Sequence, residues 1–199
     1  MHALVIKTSS LGDVIHTFPA ITDVARERPD TRFDWVVEED FVELPTWHPA
    51  IARVVPVSLR RWRRNLSQSL FSKEVPAFRR QLRQRSYDVV IDAQGLIKSA
   101  VLGCMAKGPV HGFARDSARE QPAALAYAHR HHVDWGQHAI TRLRQLFAQV
   151  FGYPVPEQEP DYGLDTTRFR REHTPPYVVF LHGTNWVSKQ WPEAYWSKL

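Results

Sequence analysis

Three short stretches of this 199-residue chain hold residue types that could do chemistry. The first, Lys7-Thr8-Ser9-Ser10-Leu11-Gly12-Asp13, follows the apolar run Ala3-Leu4-Val5-Ile6 and precedes a helical pattern. At the carboxyl edge of an open parallel sheet such a loop faces the ligand crevice. Gly12 lets the backbone approach a ligand, and N–H groups at a helix start favour anions. Asp13, at the helix entry, reads either as an N-cap or as a catalytic base within reach of a substrate proton. The spacing matches neither a P-loop nor a Gly-x-Gly-x-x-Gly fingerprint.

The second stretch is Leu59-Arg60-Arg61-Trp62-Arg63-Arg64-Asn65. Arginine forks grip phosphate or carboxylate in pairs, and a tryptophan can lie against a sugar or a hydrocarbon. The same run reads as a solvated surface, or as a nucleic-acid patch in a non-catalytic anion-binding module. The third is the turn His182 to Trp191, where Thr184 and Lys189 could hold a phosphate, unless it is an ordinary turn. The run His129-Arg130-His131-His132 invites a metal, but neighbouring histidines on a basic loop seldom converge, so no metal is expected. Cys104, within an apolar helical pattern, reads as a small core residue. No Gly-x-Ser-x-Gly elbow supports a serine triad.

The elements that must position these residues alternate. Strand patterns at Ala3–Ile6, Phe33–Val37, Val54–Val57, Tyr87–Asp92 and Val110–Phe113 are separated by helical patterns at 14–28, 74–86, the stretch after Gly95 to Ala106, and 138–151. The expectation is an α/β fold with a Rossmann-like, doubly wound parallel sheet over 1–151. Residues 152–176 hold five of the 14 prolines, a linker composition. Tyr177–Leu181 reads as a buried strand and Pro192 as a helix opening. Residues 177–199 are therefore expected to be the start of an incomplete second domain.

Composition narrows the class. Apolar residues are 43% and charged residues 24%, a globular balance. One cysteine excludes a disulfide framework and fits a reducing compartment. Neither a signal peptide nor an apolar span is visible, so a cytoplasmic location is expected. The net charge of +5 is uneven: from Arg53 to Arg85 there are ten basic residues and one acid. An anionic partner is the natural expectation.

Taken together, the segments Ile6–His16, Phe33–Glu39, Arg60–Arg64, Val90–Ser99 and Phe180–Thr184 resemble, in order and position, the lipopolysaccharide heptosyltransferases. That resemblance implies the GT-B architecture of two Rossmann-like domains facing a cleft, the first taking the acceptor Kdo-lipid A and the second the donor ADP-heptose. It implies transfer with inversion, by a protein lying peripherally at the cytoplasmic face of the inner membrane; no cofactor, metal site or nucleic-acid partner is expected. It makes Asp13 the general base, Arg60, Arg61, Arg63 and Arg64 the grip on the acceptor's carboxylates and phosphates, and Thr184, Asn185 and Lys189 the donor-phosphate residues. Asn185 and Ser188 depart from the family's usual hydroxyl and acid. The later donor-domain segments are absent, so the chain reads as a fragment.

Overall fold

The computed structural model describes residues 1–64, 73–169, 175–180, 183 and 187–199, with the backbone alone at 63, 64, 168 and 169. Two compact units separate at Asp165/Thr166.

The larger unit is built on six parallel strands in the order β3-β2-β1-β4-β5-β6. They are β1 (His2–Ile6), β2 (Arg32–Glu38), β3 (Ile51–Val57), β4 (Val89–Asp92), β5 (Val110–Phe113) and β6 (His129–His131). Side chains alternate across each strand. Ala3 and Val5 of β1, with Phe33, Trp35 and Val37 of β2, face a core closed by helices α2 (Phe18–Glu27) and α6 (Ala139–Phe151). Leu4, Ile6, Val36 and Val90 face the other core, with α4 (Glu74–Leu82) and α5 (Ile97–Met105). Because both faces are covered, the central strands read as continuous apolar runs. The order reverses at β1, between β2 and β4, and open α/β sheets hold ligands at the carboxyl end of such a switch point.

Several expectations change. The helical pattern from Val14 to Arg28 is two helices, α1 (Leu11–Ile15) and α2. Pro19, in the first turn of α2, has no N–H to offer the Ile15 carbonyl and its ring would crowd it, so the chain breaks there. The basic run forms a helix, α3 (Leu59–Arg64). His129–His131 is an edge strand, not a loop. Alternation along it brings His129 and His131 onto His111 of β5, with ring centroids 4.4 and 5.3 Å apart. Among the described residues no three ligating side chains could hold a metal. Cys104 lies on the exposed face of α5, because the helix turns Leu102 and Gly103 inward and Cys104 outward.

Residues 152–165 return across α2 and α6 as a strap. Arg144 pairs with buried Asp23 at 2.6 Å and donates to the carbonyls of Pro156 and Gln158, both at 3.0 Å. Gly163 then lies against Thr22 and His48.

In the smaller unit the short helix α7 (Glu193–Trp196) follows Pro192, and Trp196 meets Trp191 and Phe180 edge-on at 4.6 and 5.5 Å. Residues 177–180 are not the buried strand expected. They have no strand pairing, and Tyr177 and Val178 are 72% and 78% exposed. An apolar run becomes a strand only where a neighbouring backbone takes its hydrogen bonds, and among the described residues none does. Leu181 lies outside them.

Candidate functional site

The loops after β1 and β4 meet at the switch point. Lys7 leaves β1 with its backbone N–H on the Val36 carbonyl (3.2 Å), while its own carbonyl accepts from the buried Trp35 indole (3.1 Å). Its ammonium turns inward and donates to the Ala93 carbonyl at 3.0 Å. Asp92, at the end of β4, is fully buried and accepts from Tyr127 Oη (2.7 Å), Ser99 Oγ (2.8 Å) and the backbone N–H of Gln94 and Gly95 (2.9 and 3.1 Å). Burial still pushes its pKa up, against those four donors.

Asp92 thereby shapes the turn that carries Gln94, and Gln94 joins the two loops. Its Oε1 accepts from the Thr8 N–H (2.8 Å) and the Thr8 hydroxyl (2.9 Å), and its Nε2 donates to the Ser9 carbonyl (2.9 Å). Ser10 is the N-cap of α1 and Asp13 is its third helical residue, so Asp13 is not itself the cap. Instead its Oδ2 accepts from the Ser10 N–H (2.9 Å) and Ser10 hydroxyl (3.0 Å), one arm of a capping box. Burial pushes Asp13 up, but the Ser10 N–H, Lys7, the Ser10 hydroxyl and Arg119 outweigh it, and its pKa lies below the ordinary value. Lys7 is lowered, by desolvation first and by Arg119 and Arg142, with Asp13 and Asp92 pulling the other way.

Asp13 faces two adjoining hollows. The wider, about 690 Å³, lies between Ser10, Gln94, Ile97, Lys98 and Arg119. The narrower, about 320 Å³, runs under Asp13 toward Lys7, Phe113, Trp135 and Arg142. Arg142 is clamped between Trp135 and Phe113, 4.1 and 5.0 Å from the ring centroids, and desolvation lowers its pKa. A carboxylate held ionised beside the buried Lys7 ammonium and the exposed Arg119, in a cleft with an aromatic wall, can take a proton from a sugar hydroxyl as that hydroxyl becomes acidic on attack.

The arginine helix follows β3 at the same edge of the sheet. Its charge is more compensated than the local sequence suggests. Arg60 pairs with Asp40 (2.8 Å) and lies over the Phe41 ring, and its backbone N–H donates to Glu38 (2.8 Å). Arg61 pairs with Glu39 (2.9 Å) and Glu74 (3.2 Å). Trp62 is not free to cover a sugar: its indole donates to Glu74 (2.8 Å) and its ring packs edge-on against Phe78 at 5.7 Å. Glu38, Glu39 and Asp40 come from about twenty residues upstream, at the end of β2, where a parallel sheet returns the chain to the same edge, and Glu74 comes from the start of α4. The side chains of Arg63 and Arg64 lie outside the described residues, as do Thr184 and Asn185. Lys189 is exposed, at the end of a 3-10 turn, Val187–Lys189, in the smaller unit.

Gln94, Arg119, Trp135 and Arg142 were not singled out by type and spacing. Gln94 lies inside a segment that carries the family resemblance. Nothing local marks the other three, which enter the site from the loops after β5 and β6 (Arg119 and Trp135) and from the first turns of α6 (Arg142).

The glycosyltransferase family 9 (heptosyltransferase) profile matches residues 75–199. The chain is 57% identical over its whole length to the Pseudomonas aeruginosa protein lipopolysaccharide heptosyltransferase 1, covering 57% of that protein. It is 46% identical to the namesake of Escherichia coli K12, covering 63% of it. It superposes over its whole length on a solved structure of E. coli heptosyltransferase WaaC with ADP-2-deoxy-2-fluoro heptose, with a TM-score of 0.94 and 45% identity, covering 64% of that chain. A solved family 9 glycosyltransferase from Veillonella parvula, at 16% identity and a TM-score of 0.75, shares the fold. The chain thus spans about three-fifths of the length of these relatives. With the parallel α/β sheet of a GT-B half and a match over most of its residues, it belongs to glycosyltransferase family 9, the heptosyltransferases.

Proposed function

We propose that this chain is the acceptor side of an inverting heptosyltransferase of lipopolysaccharide inner-core synthesis, which moves L-glycero-D-manno-heptose from ADP-heptose to Kdo-lipid A. The observation that carries the reading is the ionised Asp13 at the switch point, tied by Ser10 and faced by Lys7 and Arg119. In the reaction, the acceptor hydroxyl oxygen bonds to the anomeric carbon from the face opposite the leaving group. The bond from that carbon to the diphosphate oxygen breaks, ADP leaves with the electron pair, and the hydroxyl proton passes to Asp13. A carboxylate of low pKa accepts that proton only as the new bond acidifies the hydroxyl, so transfer and attack are concerted. Charge develops on departing ADP, where Lys189, with Thr184 and Asn185, would stabilise it.

Under this reading residues 1–151 form the acceptor domain, 152–176 the linker and 177–199 the start of the donor domain. Arg60, Arg61, Arg63 and Arg64 meet the acceptor's anionic groups, Arg60 and Arg61 by exchanging their present carboxylate partners for it. The protein acts peripherally at the cytoplasmic face of the inner membrane. None of its described helices is long and apolar enough to cross one. The test is Asp13→Asn in the full-length protein: transfer from ADP-heptose should fall at least about a hundredfold, while acceptor affinity changes little. Wild-type turnover in that variant would remove Asp13 as the base.

A further inference from the structure

Helix α5 has an unusual outer face. Its inner side, Ser99, Ala100, Leu102 and Gly103, is buried against the sheet, as an amphipathic helix requires. The outer side is apolar as well. Ile97 and Val101 are 48% and 50% exposed, Cys104 is exposed, and the three stand one and two turns apart on one stripe. Against α5 packs the 3-10 helix Gln121–Ala126, whose Leu125 is 78% exposed. Beside Leu125 a groove of about 390 Å³ is lined by Pro122, the buried Ala124 and the exposed Arg115 and Arg130. Neither arginine forms an ion pair among the described residues. Exposed apolar side chains that are contiguous and flanked by cations mark an interaction surface.

We propose that this face, Val101 and Leu125 with Arg115 and Arg130 beside Leu125, docks on the surface of a phospholipid bilayer. Two features select that occupant. An apolar face with cations beside it matches acyl chains beneath phosphate headgroups, as in interfacial segments generally. The surface is also continuous with the candidate cleft, because Ile97 and Lys98 at the start of α5 form a wall of the wider hollow beside Asp13. An acceptor anchored in the bilayer would reach Asp13 along this wall. The route rests on the lipid-linked acceptor proposed above, whereas docking itself does not.

The experiment uses the full-length protein and sedimentation with vesicles, either phosphatidylcholine alone or phosphatidylethanolamine with phosphatidylglycerol. The wild type should bind the anionic vesicles at low salt and release partly at high salt. V101E/L125E should weaken binding more than about tenfold, and R115Q/R130Q about tenfold on anionic vesicles only, with a shallower salt dependence. These residues are at the surface and outside the cleft, so transfer to a de-acylated, water-soluble acceptor should be unchanged in both variants. Binding by V101E/L125E equal to wild type, or no vesicle binding by the wild type, overturns the proposal. So does a vesicle-free dimer that V101E/L125E converts to monomer, since the face would then join two copies. Vesicle binding that behaves as described without heptose transfer by the wild type would leave this surface standing and refute the transferase reading.

Discussion

His48 gives a sharp test of how the strap is held. It is buried at 2% exposure between α2 and the start of β3. The Ala50 N–H donates to its Nδ1 at 3.1 Å, so that nitrogen must keep its lone pair. Its Nε2 lies 3.0 Å from the Thr22 hydroxyl, which itself donates to the Phe18 carbonyl, so Nε2 carries the proton. A second proton would have to enter at Nδ1, facing an N–H, in a site shut off from water. Burial accordingly pulls the pKa down to about 4, with Asp161 pulling weakly the other way. The unfolded chain has the ordinary value of 6.5. Below it the unfolded state takes up a proton that the folded state refuses. Stability is therefore lost as the pH falls from about 6.5 toward 4 and levels off below. At about 1.4 kcal/mol per unit, the whole window is worth roughly 3 kcal/mol, and roughly 2–3 kcal/mol is gone by about pH 4.5. In His48→Asn the amide oxygen can still accept from Ala50 but cannot titrate. Urea unfolding of both proteins, followed by tryptophan fluorescence from pH 7 to 4.5, isolates this group, because every other titration is shared. The stability advantage of the wild type should shrink by about 2–3 kcal/mol across that range. A difference that stays constant with pH would show the reasoning to be wrong.

Two further predictions address the strap and the cleft. Gly163 has a φ of +61°, and a Cβ there would stand 2.5 Å from Thr22 Oγ1 and 2.6 Å from His48 Nε2. Gly163→Ala should cost more than about 2 kcal/mol by urea unfolding, and a neutral result would mean that the strap does not lie against α2 as described. Lys7→Met removes a cation that favours the charged form of Asp13, so the acid limb of kcat/KM in the full-length protein should move to higher pH. An unmoved limb would mean that Lys7 does not act on the group that titrates there.

The sheet was legible because its central strands are buried on both faces, so Ala3–Ile6, Phe33–Val37 and Tyr87–Asp92 stand out as apolar runs. What escaped was set by partners distant in sequence. The Arg60 and Arg61 charges look uncompensated along the chain because Glu39 and Asp40 belong to another crossover. The outward face of Cys104 depends on which stripe of an almost wholly apolar helix meets the sheet, and composition cannot choose between stripes. The Tyr177–Leu181 run has strand composition, but composition supplies no neighbour. Asp13 was found by its place in the first loop, yet its hydrogen-bonding role comes from Ser10, a residue that reads locally as one more polar loop position. Gln94 acts through three contacts across eighty-five residues or so, and no local pattern announces them.

That one amide side chain has a kinetic corollary. All three of its hydrogen bonds go to Thr8 and Ser9, and its own backbone is fixed by Asp92. The two walls beside Asp13 are loops by position but form a single body with the sheet. The Thr8, Gln94 and Gly95 amides should accordingly exchange with deuterium at the pace of the strands, releasing only on global opening. Closure around a substrate must then come from elements that swing toward this body, leaving the carboxylate already aimed before the acceptor arrives.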